Sequence, residues 1–300
     1  MQTILNYIIW DVSPFIYEGE HFAIGWYGTL WTLGLIGMLI TLLVTFKHDG
    51  VPTQYALVTF MVSLVCVIFF GHLFQGLFYE WYYIPEHPDS LFGIDTAYHN
   101  YYFEHPWKFF DFAHGGYASH GCVFGVLVAG WICAQIFKCD MWYATDRSMM
   151  GLFWVAVAVR IGNLINNEIC GIETSLPWGF CFGEETVPRH PSQIYELLSY
   201  LLAMGIAWWL FLKRDGGQYK GLLSSVIMTI VLLLRIGIEL VKLPQMEIEQ
   251  DWILMMGQWL SIPFAVYAIW LLFRSLEQGK QTNVTSFVKT TRAERRRMKK

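Results

Sequence analysis

A chain of 300 residues that is 55% hydrophobic and 17% aromatic but only 15% charged lies well below the charged content of soluble domains, about 25%. That composition excludes a soluble or peripheral enzyme and points to an all-α polytopic membrane protein. The formal net charge of −4 says little, because the signs are segregated along the chain.

Seven apolar stretches approach the roughly 20 helical residues needed to cross a hydrocarbon core. In chain order they cover residues 23–46, 55–79, 112–137, 148–165, 193–212, 222–241 and 256–273. The runs are continuous rather than alternating, which selects helices over barrel strands. Alternate loops hold Lys47, then Lys138 and Arg147, then Lys213, Arg214 and Lys220, and the tail adds nine more cations. The opposite loops hold only Lys108, Arg189 and Lys242. The positive-inside rule then places the N-terminus outside and the C-terminus in the cytoplasm. The expected organisation is one transmembrane domain over residues 1–276 and a basic cytoplasmic tail over 277–300. The first ten residues lack the basic start of a cleavable signal, so the first helix is expected to act as the targeting signal. Arginines 295–297 read as an anchor for the tail, with contact to anionic lipid as the alternative. The sequon at Asn283 is expected to stay unused on that side. No nucleic-acid partner is expected.

Arg160 and Arg235 are the two cations expected inside spanning stretches, where each costs at least about 2.5–3.5 kcal/mol and usually serves a substrate or a partner charge. Arg160, Asn163 and Asn167 are spaced to share one helical face, which offers several donors to an anion. The alternative is a helix–helix network in which Arg160 pairs with Glu168 or another acid. Arg235 has Glu239 four residues on, so an ion pair along one helix competes with a site role, and the two are compatible. His120 opens the third helix beside Gly121 and Gly125, a small-xxx-small pair that allows close helix approach. Its imidazole suits proton transfer, although a histidine at a helix end also serves as a plain hydrogen-bonding group. Pro191 suits a helix start whose amides form an anion site, with Arg189 either part of that site or an ordinary interfacial cation.

The six cysteines form no metal pattern, and no metal is expected. Cys170 and Cys181 share one outer loop, and a disulfide between them is one possibility if that face is oxidising.

The run from Arg160 through Gly162, Asn163, Asn167 and Glu168 to Gly171, followed by Leu176-Pro177-Trp178 and by Pro188 to Glu196, resembles the bacterial phosphatidylglycerol–prolipoprotein diacylglyceryl transferases. Trp26-Tyr27-Gly28, Gly115 to Gly121, Asp146, Arg235 with Glu239, and Met256 to Pro263 are similar to further motifs of that family, in the same order. The chain departs from the pattern at Gly25 and His72, where the family carries arginines, and at Cys122 and Val231.

The resemblance implies transfer of the diacylglyceryl group of phosphatidylglycerol to the lipobox cysteine thiol of a prolipoprotein, with release of glycerol 1-phosphate. It implies partners that are membrane lipids and prolipoprotein signal peptides, in the bacterial inner membrane, and leaves oligomeric state open. His120 would be the general base toward the thiol, and Arg160 and Arg235 would face the departing phosphate. Asn163 and Asn167 would bond headgroup oxygens, as would Tyr27 the phosphate. Glu168 and Glu239 would orient the arginines, Gly171 would permit a tight turn, and Arg189 would meet the headgroup at the rim. No cofactor is expected, since the reaction is neither redox nor hydrolytic. Two other readings compete: an anion or lipid transporter, and a divergent lipid-binding paralogue without catalysis.

Overall fold

The computed structural model describes residues 7–83, 89–91, 94–96, 98–113, 115–246, 248–249 and 252–281. The expected tail beyond residue 281, with Asn283 and arginines 295–297, lies outside the described residues.

Among the described residues, seven helices are long and apolar enough to cross a membrane. They are α1 (Trp26–His48), α2 (Thr53–Phe78), α3 (Ser119–Phe137), α4 (Met141–Ile165), α5 (Ser192–Lys213), α6 (Leu222–Ile238) and α7 (Met256–Gln278). A helix meets all its own backbone polar groups, which is why apolar runs of this length take that form in hydrocarbon. Four two-stranded β-pairs decorate the loops among the described residues. One of them joins Ile8–Trp10 in parallel to Phe180–Phe182, so the N-terminal segment shares a face with the loop that follows α4. That face is called the N-terminal face below.

Two boundaries differ from expectation for physical reasons. The third helix starts at Ser119 rather than near residue 112, because Gly115 takes a φ of +114° and breaks the chain there. The fourth starts at Met141 rather than near 148. Its first turns carry Thr145, Asp146 and Arg147, which interrupt the apolar pattern, yet all three are buried. Arg147 is therefore no loop cation: it pairs with Asp49 at 2.5 Å and lies over the Tyr143 ring. Asp146 accepts from the Ser224 amide (2.9 Å), the Ser224 hydroxyl (2.6 Å) and the Gly221 amide (3.2 Å). A carboxylate in that place satisfies the orphan amides and the positive end of α6.

The helix α4 is the centre of the bundle. Its most apolar 18 residues are 72% buried, against 28–44% in the other six helices, and it packs on α1, α3, α5 and α6. Around it, Met149, Met228, Ile227 and small residues such as Ala203 and Ala268 form the main core. The lipid-facing side stays apolar, with Ile40, Val65, Leu202 and Phe273 exposed. The small pair on α3 works as expected. A Cβ on Gly121 would run into the Phe70 carbonyl and one on Gly125 into the Cys66 carbonyl, so only glycine lets α2 and α3 approach this closely.

Replacing Asp146 with alanine should lower stability by about 2–4 kcal/mol, because three hydrogen bonds to one charged acceptor are lost at a helix start. The unfolding midpoint in detergent reads this, and Asp146→Asn, which keeps an acceptor oxygen, should lose less.

Candidate active site

Five helices bring their ends together just inside the N-terminal face. The end of α4 supplies Arg160 and Asn163, the start of α5 Glu196 and Tyr200, and the end of α6 Arg235. The start of α3 supplies His120 and the start of α1 Tyr27. Glu239 and Lys242 follow α6 in a short 3₁₀ turn and its C-cap.

Both intramembrane arginines engage a single carboxylate. Arg160 Nε lies 2.5 Å from one oxygen of Glu196, and Arg235 Nη1 lies 3.0 Å from the other. Lys242 Nζ is 3.6 Å from Glu196 and 3.3 Å from Glu239. Arg235 reaches Glu239 only at 3.9 Å. All five groups are buried, Glu196 at 1% and Lys242 at 0% exposure. Three cations against two carboxylates leave one formal positive charge in a place where uncompensated charge is expensive. Arg235 Nε, moreover, is a buried donor without a partner among the described residues. Burial lowers the pKa of Lys242, with Arg235 and Arg160 pushing the same way against the two glutamates. Tyr79, whose phenol faces Arg235, is pushed up to about 12 by burial.

A cavity of about 480 Å³ opens beside this cluster. Tyr27, His120, Arg160 and Arg235 line its charged end, and below them apolar side chains continue down to Met38, Leu64 and Leu152. Polar donors at one end and an apolar shaft beneath fit an amphiphile with an anionic head. A second cavity of about 550 Å³ lies at the opposite face, between Asp140, Trp142, Lys220 and Arg274. It is open to solvent, and its Lys220 is held by Asp140 at 2.7 Å, so the cavity beside the arginines is the candidate site.

His120 is 2% exposed. Its Nε2 is 2.9 Å from the Ser261 hydroxyl on α7, and its Nδ1 has no partner among the described residues. Asn163 accepts from Arg160 Nη1 at 3.0 Å and donates to Glu168 at 2.9 Å. Glu168 therefore reaches Arg160 only through Asn163, not directly as expected.

Other expected site residues fall elsewhere. The helix ends at Ile165, so Asn167 leaves the shared face and adopts a left-handed backbone (φ 57°), which asparagine tolerates. Gly171 lies in no turn: a Cβ there would strike His190 and the Val241 carbonyl, so it serves close backbone approach, and the turn falls at Asn167 and Ile169. Arg189 is outside the cavity, 2.6 Å from Glu185, whose hydrogen bond raises its pKa. The start of α5 is no anion site, because the Ser192 and Ile194 amides already bond to the His190 and Pro191 carbonyls. Cys170 and Cys181 are free thiols, donating to the Asn167 and Thr186 carbonyls respectively. His72 donates to the Lys108 carbonyl at 2.9 Å and does not line the cavity.

Glu196, Lys242, Tyr200 and Ser261 were missed as site residues. A signal existed for the first, since Glu196 is one of two carboxylates in the expected apolar spans, with Glu239, and must find a cationic partner. Lys242 reads as a loop cation, and nothing in its local pattern marks its burial.

The family model described as prolipoprotein diacylglyceryl transferase matches residues 14–274. Among relatives, the phosphatidylglycerol–prolipoprotein diacylglyceryl transferase of Chloroherpeton thalassium is 32% identical, over 92% of this chain and 97% of that protein. That of Porphyromonas gingivalis is 34% identical over the same shares, and that of Tolumonas auensis 30% over 90% and 98%.

Replacing Glu196 with glutamine leaves three buried cations facing one carboxylate and should destabilise the fold by about 3–5 kcal/mol. Adding Arg160→Gln should recover part of that loss, and thermal unfolding of the single and double variants reads the coupling.

Proposed function

The chain belongs to the prolipoprotein diacylglyceryl transferase family, and we propose from that membership and from the site geometry that the transfer runs in the charged cavity. The protein is a multi-pass membrane enzyme that moves the diacylglyceryl group of phosphatidylglycerol onto prolipoproteins. The observation that carries the placement is a buried cluster with one net positive charge, open on one side to an apolar shaft. A phosphatidylglycerol phosphodiester brings one negative charge and acyl chains, which answer the two halves of that site.

In the proposed step the lipobox thiol attacks the glyceryl carbon next to the phosphate. The sulfur–carbon bond forms as the carbon–oxygen bond breaks, and glycerol 1-phosphate departs with the electron pair and a second negative charge. A free thiol with a pKa of about 8.5 is only a few per cent ionised at neutral pH, and His120 takes its proton. Arg160 and Arg235, already oriented by Glu196, face the growing phosphate charge without having to reorganise. Lys242 adds the third cation. Asn163, tied between Arg160 and Glu168, fixes the guanidinium. Tyr27 closes the headgroup end, and Glu239 holds Lys242 in place.

The cation bias of the loops, which survives the removal of buried Arg147 and Lys242, supports an N-terminal face directed outside and a C-terminus in the cytoplasm. With the lipid substrate, it supports residence in the bacterial inner membrane, where outer-leaflet phosphatidylglycerol and emerging signal peptides both reach the cavity.

A reconstituted assay with labelled phosphatidylglycerol and a lipobox peptide tests this. The cysteine peptide should be lipidated and its serine counterpart should not. Arg160→Ala should lower kcat at saturating lipid by about 10²–10³-fold, and His120→Gln should lower transfer by about 10²–10⁴-fold. Unchanged turnover in either variant removes that residue from its role.

A further inference from the structure

We propose that Ser261 is a positioning residue that holds His120 as the Nε2–H tautomer and so keeps the Nδ1 lone pair bare at the cavity. The inference rests on His120 being the base and names which of its nitrogens takes the proton and what selects it.

A serine hydroxyl has one proton to give. The Ser261 hydroxyl lies 2.6 Å from the carbonyl of Gly257, one turn back along α7. Two oxygens that close repel unless a proton lies between them, so the hydroxyl donates there. Toward His120 Nε2, at 2.9 Å, it can then only accept. A neutral imidazole carries one N–H, and this contact requires it on Nε2. Nδ1 is left as an acceptor.

The surroundings do not reverse that assignment. His120 Nδ1 is buried and has no hydrogen-bond partner among the described residues, so no carbonyl there draws the proton across. Ser261 itself is fully buried, which keeps water from replacing its contact. Phe264, one turn further along α7, meets the imidazole edge to face at 5.7 Å and limits the ring's rotation. His120 lines the same cavity as Arg160 and Arg235, and its unpartnered Nδ1 is the ring nitrogen left to accept a proton from a thiol that enters beside the phosphate site. A ring nitrogen's state is set by the bond its partner nitrogen makes, and here that bond comes from a helix 141 positions away in sequence.

Nitrogen-15 NMR of histidine-labelled protein in nanodiscs reads the tautomer without any substrate, with His120→Gln identifying the resonances. The expected result is a pyrrole-type Nε2 and a pyridine-type Nδ1. Ser261→Ala should shift the Nε2 proton signal and lower kcat, by less than the roughly 10²–10⁴-fold that general-base catalysis supplies, with KM for lipid little changed. Ser261→Thr, which keeps the hydroxyl, should restore most of the rate. Thr45→Ala, which removes a similar buried hydroxyl bonded to the Thr41 carbonyl in α1, should leave the His120 spectrum unmoved. A proton on Nδ1, or wild-type turnover in Ser261→Ala, overturns the role of Ser261. Full transfer by His120→Gln instead overturns the base assignment, so the two failures are distinct.

Discussion

The site is organised by the carboxylate of Glu196. Two guanidinium groups and an ammonium, carried by α4 and by α6 with the turn that follows it, would repel one another inside a low-dielectric bundle without it. Its two oxygens meet Arg160 and Arg235 from opposite sides, so one acid both pays for burial of the cations and aims them. The balance is deliberately incomplete, since a second acid, Glu239, still leaves the cluster one positive charge in excess. A site built this way is stable when empty and more stable when an anion enters, which is the property a phosphate-binding centre within a membrane needs.

The opposite end of the bundle solves a related problem differently. Arg147 is buried like Arg160, yet it faces Asp49 and the Tyr143 ring and does not line the cavity beside Glu196. Asp146 next to it is consumed by the start of α6. Those polar groups are balanced locally and hold helices in register, whereas the group around Glu196 keeps an unpartnered donor on Arg235 and an open side. Depth and charge alone do not distinguish these arginines; residual charge beside an open volume does.

The arrangement also divides the chemistry between fixed and moving parts. The cations and His120 are held on the ends of rigid helices, and α7 reaches His120 through Ser261. The nucleophile and the leaving group both belong to substrates. In the proposed transfer the protein supplies only a base and a set of oriented positive charges, which fits a cavity whose lower part is apolar.

Seven helices and their order were legible from the chain, and Arg160, Arg235, His120 and Asn163, which stand out in it, come together in the fold, because hydrocarbon demands long apolar runs and makes every buried charge conspicuous. The run from 148 hid the true start of α4 for the same reason, as Arg147 and Asp146 look like loop residues until Asp49 and Ser224 are seen beside them. Asn167 was assigned by spacing along a helix that in fact stops at Ile165, and Gly171, given a tight turn by the family resemblance, serves close backbone approach instead. What only the tertiary structure decided is pairing. Local spacing favoured Glu168 and Glu239 as partners of the arginines, but ion pairs form with whichever carboxylate packing brings within reach, and the fold brings Glu196. Lys242 and Ser261 belong to the site for the same reason: their importance is a distance across helices, and no distance of that kind is written in the order of residues.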